Sequence, residues 1–149
     1  MWDSKYCEEL KKRRLLATAA GGEKRVEIQH SKGKLTARER IDYLFDENSF
    51  IEINTLVESQ DSRFGMDEKK IVGDGVVIGY GKINGRVVYA SSQDFTVIGG
   101  TLGEYHSKKI CHIMDMALTM KAPYVSINDS GGARIEEGIT SLDGYSGIF

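Results

Sequence analysis

The chain has 149 residues, enough for one domain or part of one, and its hydrophobic share of 40% is ordinary for a globular protein. Acidic and basic side chains nearly cancel, 22 against 20, so there is no basic excess to neutralise a nucleic-acid backbone and no nucleic-acid partner is expected. No apolar run approaches the ~20 residues that span a bilayer, Met1–Glu9 lacks the apolar segment of a secretory signal, and Cys7 and Cys111 form neither a C-x-x-C pair nor a disulfide framework.

In chain order, Tyr6–Ala20 reads as a charged helix, with Lys11, Lys12, Arg13 and Arg14 on a solvated face. Gly21-Gly22 ends it, and a polar connection, Glu23–Lys34, follows. Thr36 and Glu39 fit a capping box, which predicts a helix over 37–45 with Ile41, Leu44 and Phe45 on one face. Asp46–Ser49 reads as a turn, Phe50–Val57 as a strand and Glu58–Lys70 as an exposed loop. Strands at Val76–Ile78 and Arg86–Ser91 are joined by Asn84-Gly85, the strongest hairpin signal in the chain. After Gly99-Gly100 a long helix is expected from Leu102 to Met120, with Ile110, Ile113, Met114, Ala117 and Leu118 as its apolar stripe. Pro123 marks its end, Tyr124–Asn128 is a short strand, and Gly131-Gly132 turns the chain into another helix beginning near Ala133. The pattern of strands, glycine pair and helix thus occurs twice, in an α/β chain. An unfinished apolar helical pattern at Tyr145–Phe149 leads us to expect truncation.

A glycine pair between strand and helix has a physical use. The first N–H groups of a helix lack internal acceptors, and the dipole adds partial positive charge there. Such a turn can hold a phosphate or a developing oxyanion; it can equally be a tight turn chosen for packing. Gly99-Gly100 and Gly131-Gly132-Ala133 are the candidates. The dinucleotide G-x-G-x-x-G, the P-loop and the G-x-S-x-G elbow are absent. His30, His106 and His112 show no metal spacing, so no bound metal is expected. Asp94 and Asp129 precede the two glycine turns, where capping of turns or helices is the expected role.

Three strings carry a resemblance: Gly33-Lys34-Leu35-Thr36-Ala37-Arg38-Glu39-Arg40, Ser92–Gly100, and Asn128-Asp129-Ser130-Gly131-Gly132-Ala133-Arg134-Ile135. With Gly21-Gly22-Glu23, Gln29-His30 and Phe64-Gly65-Met66, they resemble the carboxyltransferase subunits of biotin-dependent acyl-CoA carboxylases, in the propionyl-CoA carboxylase and methylmalonyl-CoA carboxyltransferase or decarboxylase branch. The resemblance implies a crotonase-like spiral of β-β-α units, here its incomplete N-terminal portion. Residues 1–34 would form a preceding helical segment with its connection, and 35–149 the front of the N-terminal domain. It also implies a cytoplasmic protein, or a mitochondrial-matrix one in a eukaryote.

The implied reaction moves a carboxyl group between carboxybiotin and the α-carbon of a short acyl-CoA, through an enolate. Biotin would ride on a separate carrier subunit or domain, and the full-length subunit would form homo-oligomers. The bet for the oxyanion hole is the backbone N–H groups of Gly131, Gly132 and Ala133. Gly99 and Gly100 would line the CoA side or supply a second donor. Arg38 and Arg134 are candidates for CoA phosphates, with structural ion pairing the alternative. Two rivals stand beside this reading. One is a crotonase-type hydratase or isomerase using Glu136 or Glu137 as acid/base; the other is a non-catalytic CoA-binding or assembly piece. The isolated chain is expected to bind CoA weakly and to show no transfer.

Overall fold

The computed structural model describes residues 4–66 and 72–149. Its first helix, α1 (Ser4–Thr18), is largely solvated and buries Ala17. The expected polar connection after Gly22 is instead a second helix, α2 (Glu23–Ser31). Gly22, at φ 89°, redirects the chain, and Glu23 sits in the first turn where the helix dipole favours an acid. This helix buries a polar residue, Gln29, so it has no apolar stripe to read in the sequence.

Thr36 opens α3 (Ala37–Leu44) with the expected capping box: its Oγ1 accepts the Glu39 N–H at 3.3 Å, and Glu39 Oε2 accepts the Thr36 N–H at 2.7 Å. The sheet that follows has four strands in the order β1 (Ile51–Ile53), β2 (Val76–Ile83), β3 (Arg86–Gln93) and β4 (Tyr124–Ile127). The first two pairings are antiparallel and the last is parallel. The strand expected over 50–57 is shorter than its pattern suggests. Asn84 and Gly85 both take positive φ, 50° and 77°, as a two-residue hairpin requires. The Asp46 carboxylate accepts both of their N–H groups at 2.9 Å.

Strand alternation divides the core. Val76, Ile78 and Tyr89 face α4 (Glu104–Thr119), packing against Ile110, Ile113 and Ala117. Val77, Val88 and Ala90 face the other way, against Ala37, Ile41 and Phe45. The sheet is therefore covered by α3 on one face and α4 on the other. The chain leaves β3, crosses through α4 and returns parallel as β4. This route brings the two glycine turns to the same end of β3 and β4.

Two further expectations need correction. Of the loop Glu58–Lys70, residues 67–70 lie outside the described residues; the described part is not all exposed, because Ser59 and Met66 are buried. And no helix begins near Ala133. Residues 132–134 stay out of helix because Gly132 takes φ 108° and Leu102 bonds to both sides of Ala133. Ile135–Glu137 makes one 3-10 turn, and α5 (Ile139–Ile148) starts only after Gly138, which takes φ 59°.

Candidate active site

The first glycine turn is set by what precedes it. At the end of β3, Asp94 Oδ1 accepts the Thr96 N–H at 3.0 Å and the Thr96 hydroxyl at 2.6 Å, so Asp94 caps a turn as expected. Ile98, Gly99 and Gly100 then all lie at positive φ, 47°, 63° and 63°. For a β-branched residue such as Ile98 this is an outlier costing roughly 1–3 kcal/mol, and such strain tends to cluster at functional sites. A Cβ on Gly100 would lie 2.2 Å from the Asp129 carbonyl oxygen, so the second turn passes directly over the first.

Backbone hydrogen bonds lace the two turns together. The Gly131 N–H donates to Gly99 O at 2.9 Å, Leu102 N–H to Gly132 O at 2.9 Å, and Arg134 N–H to Leu102 O at 2.9 Å. The Gly132 N–H donates to Ser130 Oγ at 3.1 Å. Two of the three sequence-predicted donors, Gly131 and Gly132, are therefore engaged within the protein. Ala133 differs. Leu102 straddles it in a parallel bridge, so the Ala133 N–H faces away from Leu102, and it meets no acceptor among the described residues. The Ile98 and Gly99 N–H groups likewise meet none there.

A cavity opens on each turn. One, of about 360 Å³, has polar groups of Gln93, Ser126, Asn128 and Ser130 beside Gly132, with Ile110, Met114, Tyr145 and Ile148 as apolar walls. The other, of about 240 Å³, lies between α2 and the first turn, where Arg25 and Lys32 stand near Phe95 and Gly99.

The carboxylate before the second turn does not cap a helix. Asp129 instead accepts Gln29 Nε2 at 3.0 Å, Lys34 Nζ at 3.0 Å and Arg40 NH2 at 2.5 Å, tying the turn to α2 and α3. Burial alone would raise its pKa; the three donors outweigh this and hold it below the usual carboxylate range.

The two candidate arginines are in ion pairs. Arg38 grips Glu52 through two bonds, 2.5 and 3.0 Å, and donates to Ala17 O. Arg134 is wholly buried, with NH1 on Asp74 Oδ1 at 2.6 Å and on Glu137 Oε1 at 2.8 Å, and NH2 on Thr101 O at 3.0 Å. It cannot reach a phosphate from there, so for Arg134 the ion-pair alternative replaces the phosphate one.

Burial pushes the Asp74 carboxyl above its ordinary range despite Arg134, and its Oδ2 has no partner among the described residues. His106, wholly buried, is held neutral, its pKa pushed down to about 3 by burial and by the Arg134 charge. No group of His, Cys, Asp and Glu that could hold a metal occurs among the described residues. Asp74, Ser59 and the strained Ile98 carry no local signal, and only the i, i+3 spacing of Arg134 and Glu137 hints at the buried pair.

Known proteins share this architecture. The carboxyl transferase domain family matches residues 28–149. The chain belongs to that family. It is 57% identical over 142 residues to the propionyl-CoA carboxylase beta chain of Cereibacter sphaeroides, covering 95% of this chain and 28% of that one. It is 53% identical over 146 residues to the methylmalonyl-CoA decarboxylase subunit alpha of Propionigenium modestum, covering 98% and 28%. Among solved structures, transcarboxylase 12S with methylmalonyl-CoA and methylmalonic acid bound superposes with a TM-score of 0.94 at 47% identity, over 99% of this chain and 29% of that one. The fold of this carboxyl transferase chain is thus the crotonase-like α/β fold of that neighbour. The chain spans about 28% of the length of the curated relatives it matches.

Proposed function

We propose that this chain forms the acyl-CoA side of a biotin-dependent carboxyltransferase acting on a short acyl-CoA of the propionyl or methylmalonyl class. The observation that carries the reading is the Ala133 N–H, a backbone donor with no acceptor among the described residues, at the crossing of two glycine turns. The relatives named above act on such thioesters by their own names, which supports the substrate class.

The chemistry follows from the thioester. Removing the α-proton leaves the C–H electron pair delocalised into the carbonyl, so negative charge grows on the thioester oxygen. A preorganised donor aimed at that oxygen lowers the barrier by roughly 3–4 kcal/mol. Ala133 N–H is assigned this role, with the Gly99 N–H as the second donor. Gly131 and Gly132 act through geometry: their own N–H groups hold the turn, and neither carries a side chain that would obstruct an approaching ligand. The cavity beside Gly132 takes the acyl end and the one beside Gly99 the CoA end. Carboxybiotin, brought on a separate carrier, would supply the carboxyl group as a substrate, and the nitrogen from which the carboxyl leaves would take up the α-proton, so that proton and carboxyl change places between the two substrates.

The hydratase or isomerase reading through Glu137 is disfavoured. That carboxylate is 1% exposed and bonded to Arg134, to the Ser59 hydroxyl and to the Glu104 N–H. The test is Ala133→Pro in the full-length protein, which deletes the unengaged N–H and no internal hydrogen bond. Carboxyl transfer should fall about 100- to 1000-fold with acyl-CoA affinity kept within a few-fold. Wild-type turnover in this variant would remove Ala133 from the mechanism, and a wild-type protein that hydrates enoyl-CoA without biotin would overturn the reading.

A further inference from the structure

We propose that Arg134 and Glu137 form a buried positioning pair that fixes the Ala133 amide against the first glycine turn. The inference rests on the acyl-CoA reading above and deepens it, because it names what holds the oxyanion donor in place.

The geometry is specific to that task. Arg134 follows Ala133 directly, so any shift of its backbone moves the Ala133 peptide. Its N–H holds Leu102 O, while its guanidinium reaches past Leu102 to Thr101 O and approaches Thr101 Oγ1 at 3.5 Å. Glu137 completes the grip on the same stretch: Oε2 accepts the Glu104 N–H at 2.6 Å, at the first residue of α4. Backbone and side chains of residues 134 and 137 therefore hold segment 101–104 from two directions. Gly103 lies inside the grip, and a Cβ there would fall 2.5 Å from Glu137 Oε1 and 2.6 Å from Arg134 NH1.

The pair is anchored from behind as well. Asp74 takes Arg134 NH1, the Ser59 hydroxyl donates to Glu137 Oε1 at 2.9 Å, and Arg63 NH2 donates to Glu137 O at 3.0 Å. Arg134 and Glu137 are 0% and 1% exposed, so neither touches substrate; they act through the Ala133 peptide. A planar, forked guanidinium suits this role, because three acceptors at fixed angles pin its position where an ammonium would pivot.

The test uses the full-length protein with Glu137→Gln, which keeps size while removing the charge and one acceptor. Misplacing the donor should lower kcat for carboxyl transfer about 10- to 100-fold per folded molecule. KM for the acyl-CoA should stay within about 2-fold, because ground-state binding is unchanged. Arg134→Lys, which keeps charge but not the fork, should behave like Glu137→Gln. Without any ligand, the Ala133 amide resonance should shift and broaden in both variants. If Glu137→Gln does not fold, Ser59→Ala carries the test. It deletes one hydrogen bond to the same carboxylate, and kcat should fall about 3- to 10-fold at unchanged KM, with the same movement of the Ala133 resonance. Native kcat per folded molecule, a rise in KM that accounts for the whole loss, or an unmoved Ala133 resonance overturns the proposal. A wild-type protein that binds no acyl-CoA overturns the functional reading alone; the ligand-free Ala133 resonance then still decides the positioning claim.

Discussion

Gly100 and Gly132 both sit at positive φ, yet substitutions at the two should fail for different reasons. A Cβ on Gly100 meets the Asp129 carbonyl at 2.2 Å, so Gly100→Ala must push the two turns apart. We expect thermal unfolding to show a loss of at least about 1–3 kcal/mol, the usual range for overpacking. Nothing lies within 4 Å of a Cβ on Gly132, where φ is 108°, so Gly132→Val strains only its own backbone. That strain should cost roughly 1–3 kcal/mol, and its relief should displace the Ala133 peptide. In the full-length protein it should abolish transfer and spare most CoA affinity; unchanged turnover would separate the glycine pair from catalysis. At this scale the sequence was partly legible. Paired glycines announce a close approach of backbone, and the string Gly131–Ala133 located the second turn. Which N–H groups remain unengaged was not legible, because that depends on Leu102 and Gly99 bonding across the fold. The burial of Arg134 was hidden for the same reason: Asp74 is its partner at a separation of 60 residues.

Among the elements, local chemistry is legible in the sequence and tertiary chemistry is not. The Thr36 box and the Asn84-Gly85 hairpin depend on neighbours in sequence, and both form as expected. Helix α2 has no amphipathic signature because it buries Gln29 rather than an apolar stripe, and Gln29 is buried to reach Asp129. The start of α5 is not legible in the sequence, because it depends on the bridge between Leu102 and Ala133, which keeps that stretch out of helix. Helix α5 also keeps glycines for packing. A Cβ on Gly144 would meet Ser107 Oγ at 2.5 Å and Ser107 Cβ at 2.7 Å, across the contact with α4. Helix propensity alone would reward Gly144→Ala by about 1 kcal/mol. We expect the reverse, a lowered melting temperature, since the clash lies against a short side chain. A raised melting temperature would show that α5 is free to move off α4. Thr36→Ala tests the other kind of contact and should cost about 1 kcal/mol in denaturant unfolding.

For the molecule as a whole, buried titratable groups set the response to acid. His106 stays neutral down to about pH 3, whereas the unfolded chain protonates its imidazole near 6.5. Its contribution is thus complete above pH 6.5 and is lost as pH falls through that window, at up to about 1.4 kcal/mol per pH unit. Asp129, with its pKa lowered by Arg40, Lys34 and Gln29, adds stability above the ordinary carboxylate range that is lost at still lower pH. Asp74 opposes both, since its raised pKa favours the acid form in the folded chain. Urea midpoints measured from pH 7 to pH 4 should therefore fall, and His106→Gln should flatten the fall; an unchanged slope would assign it to other groups. The Asp129 anchor has a further consequence, for the order in which the protein is made. Its partners Gln29, Lys34 and Arg40 precede it by 100, 95 and 89 residues. At a synthesis rate of about 5–20 residues per second, Arg40 waits roughly 4–18 s for its anion to be added to the chain. During translation α2 and α3 can form, but nothing holds them to each other through this carboxylate, and the N-terminal helices acquire their final seat only when the second glycine turn has left the ribosome.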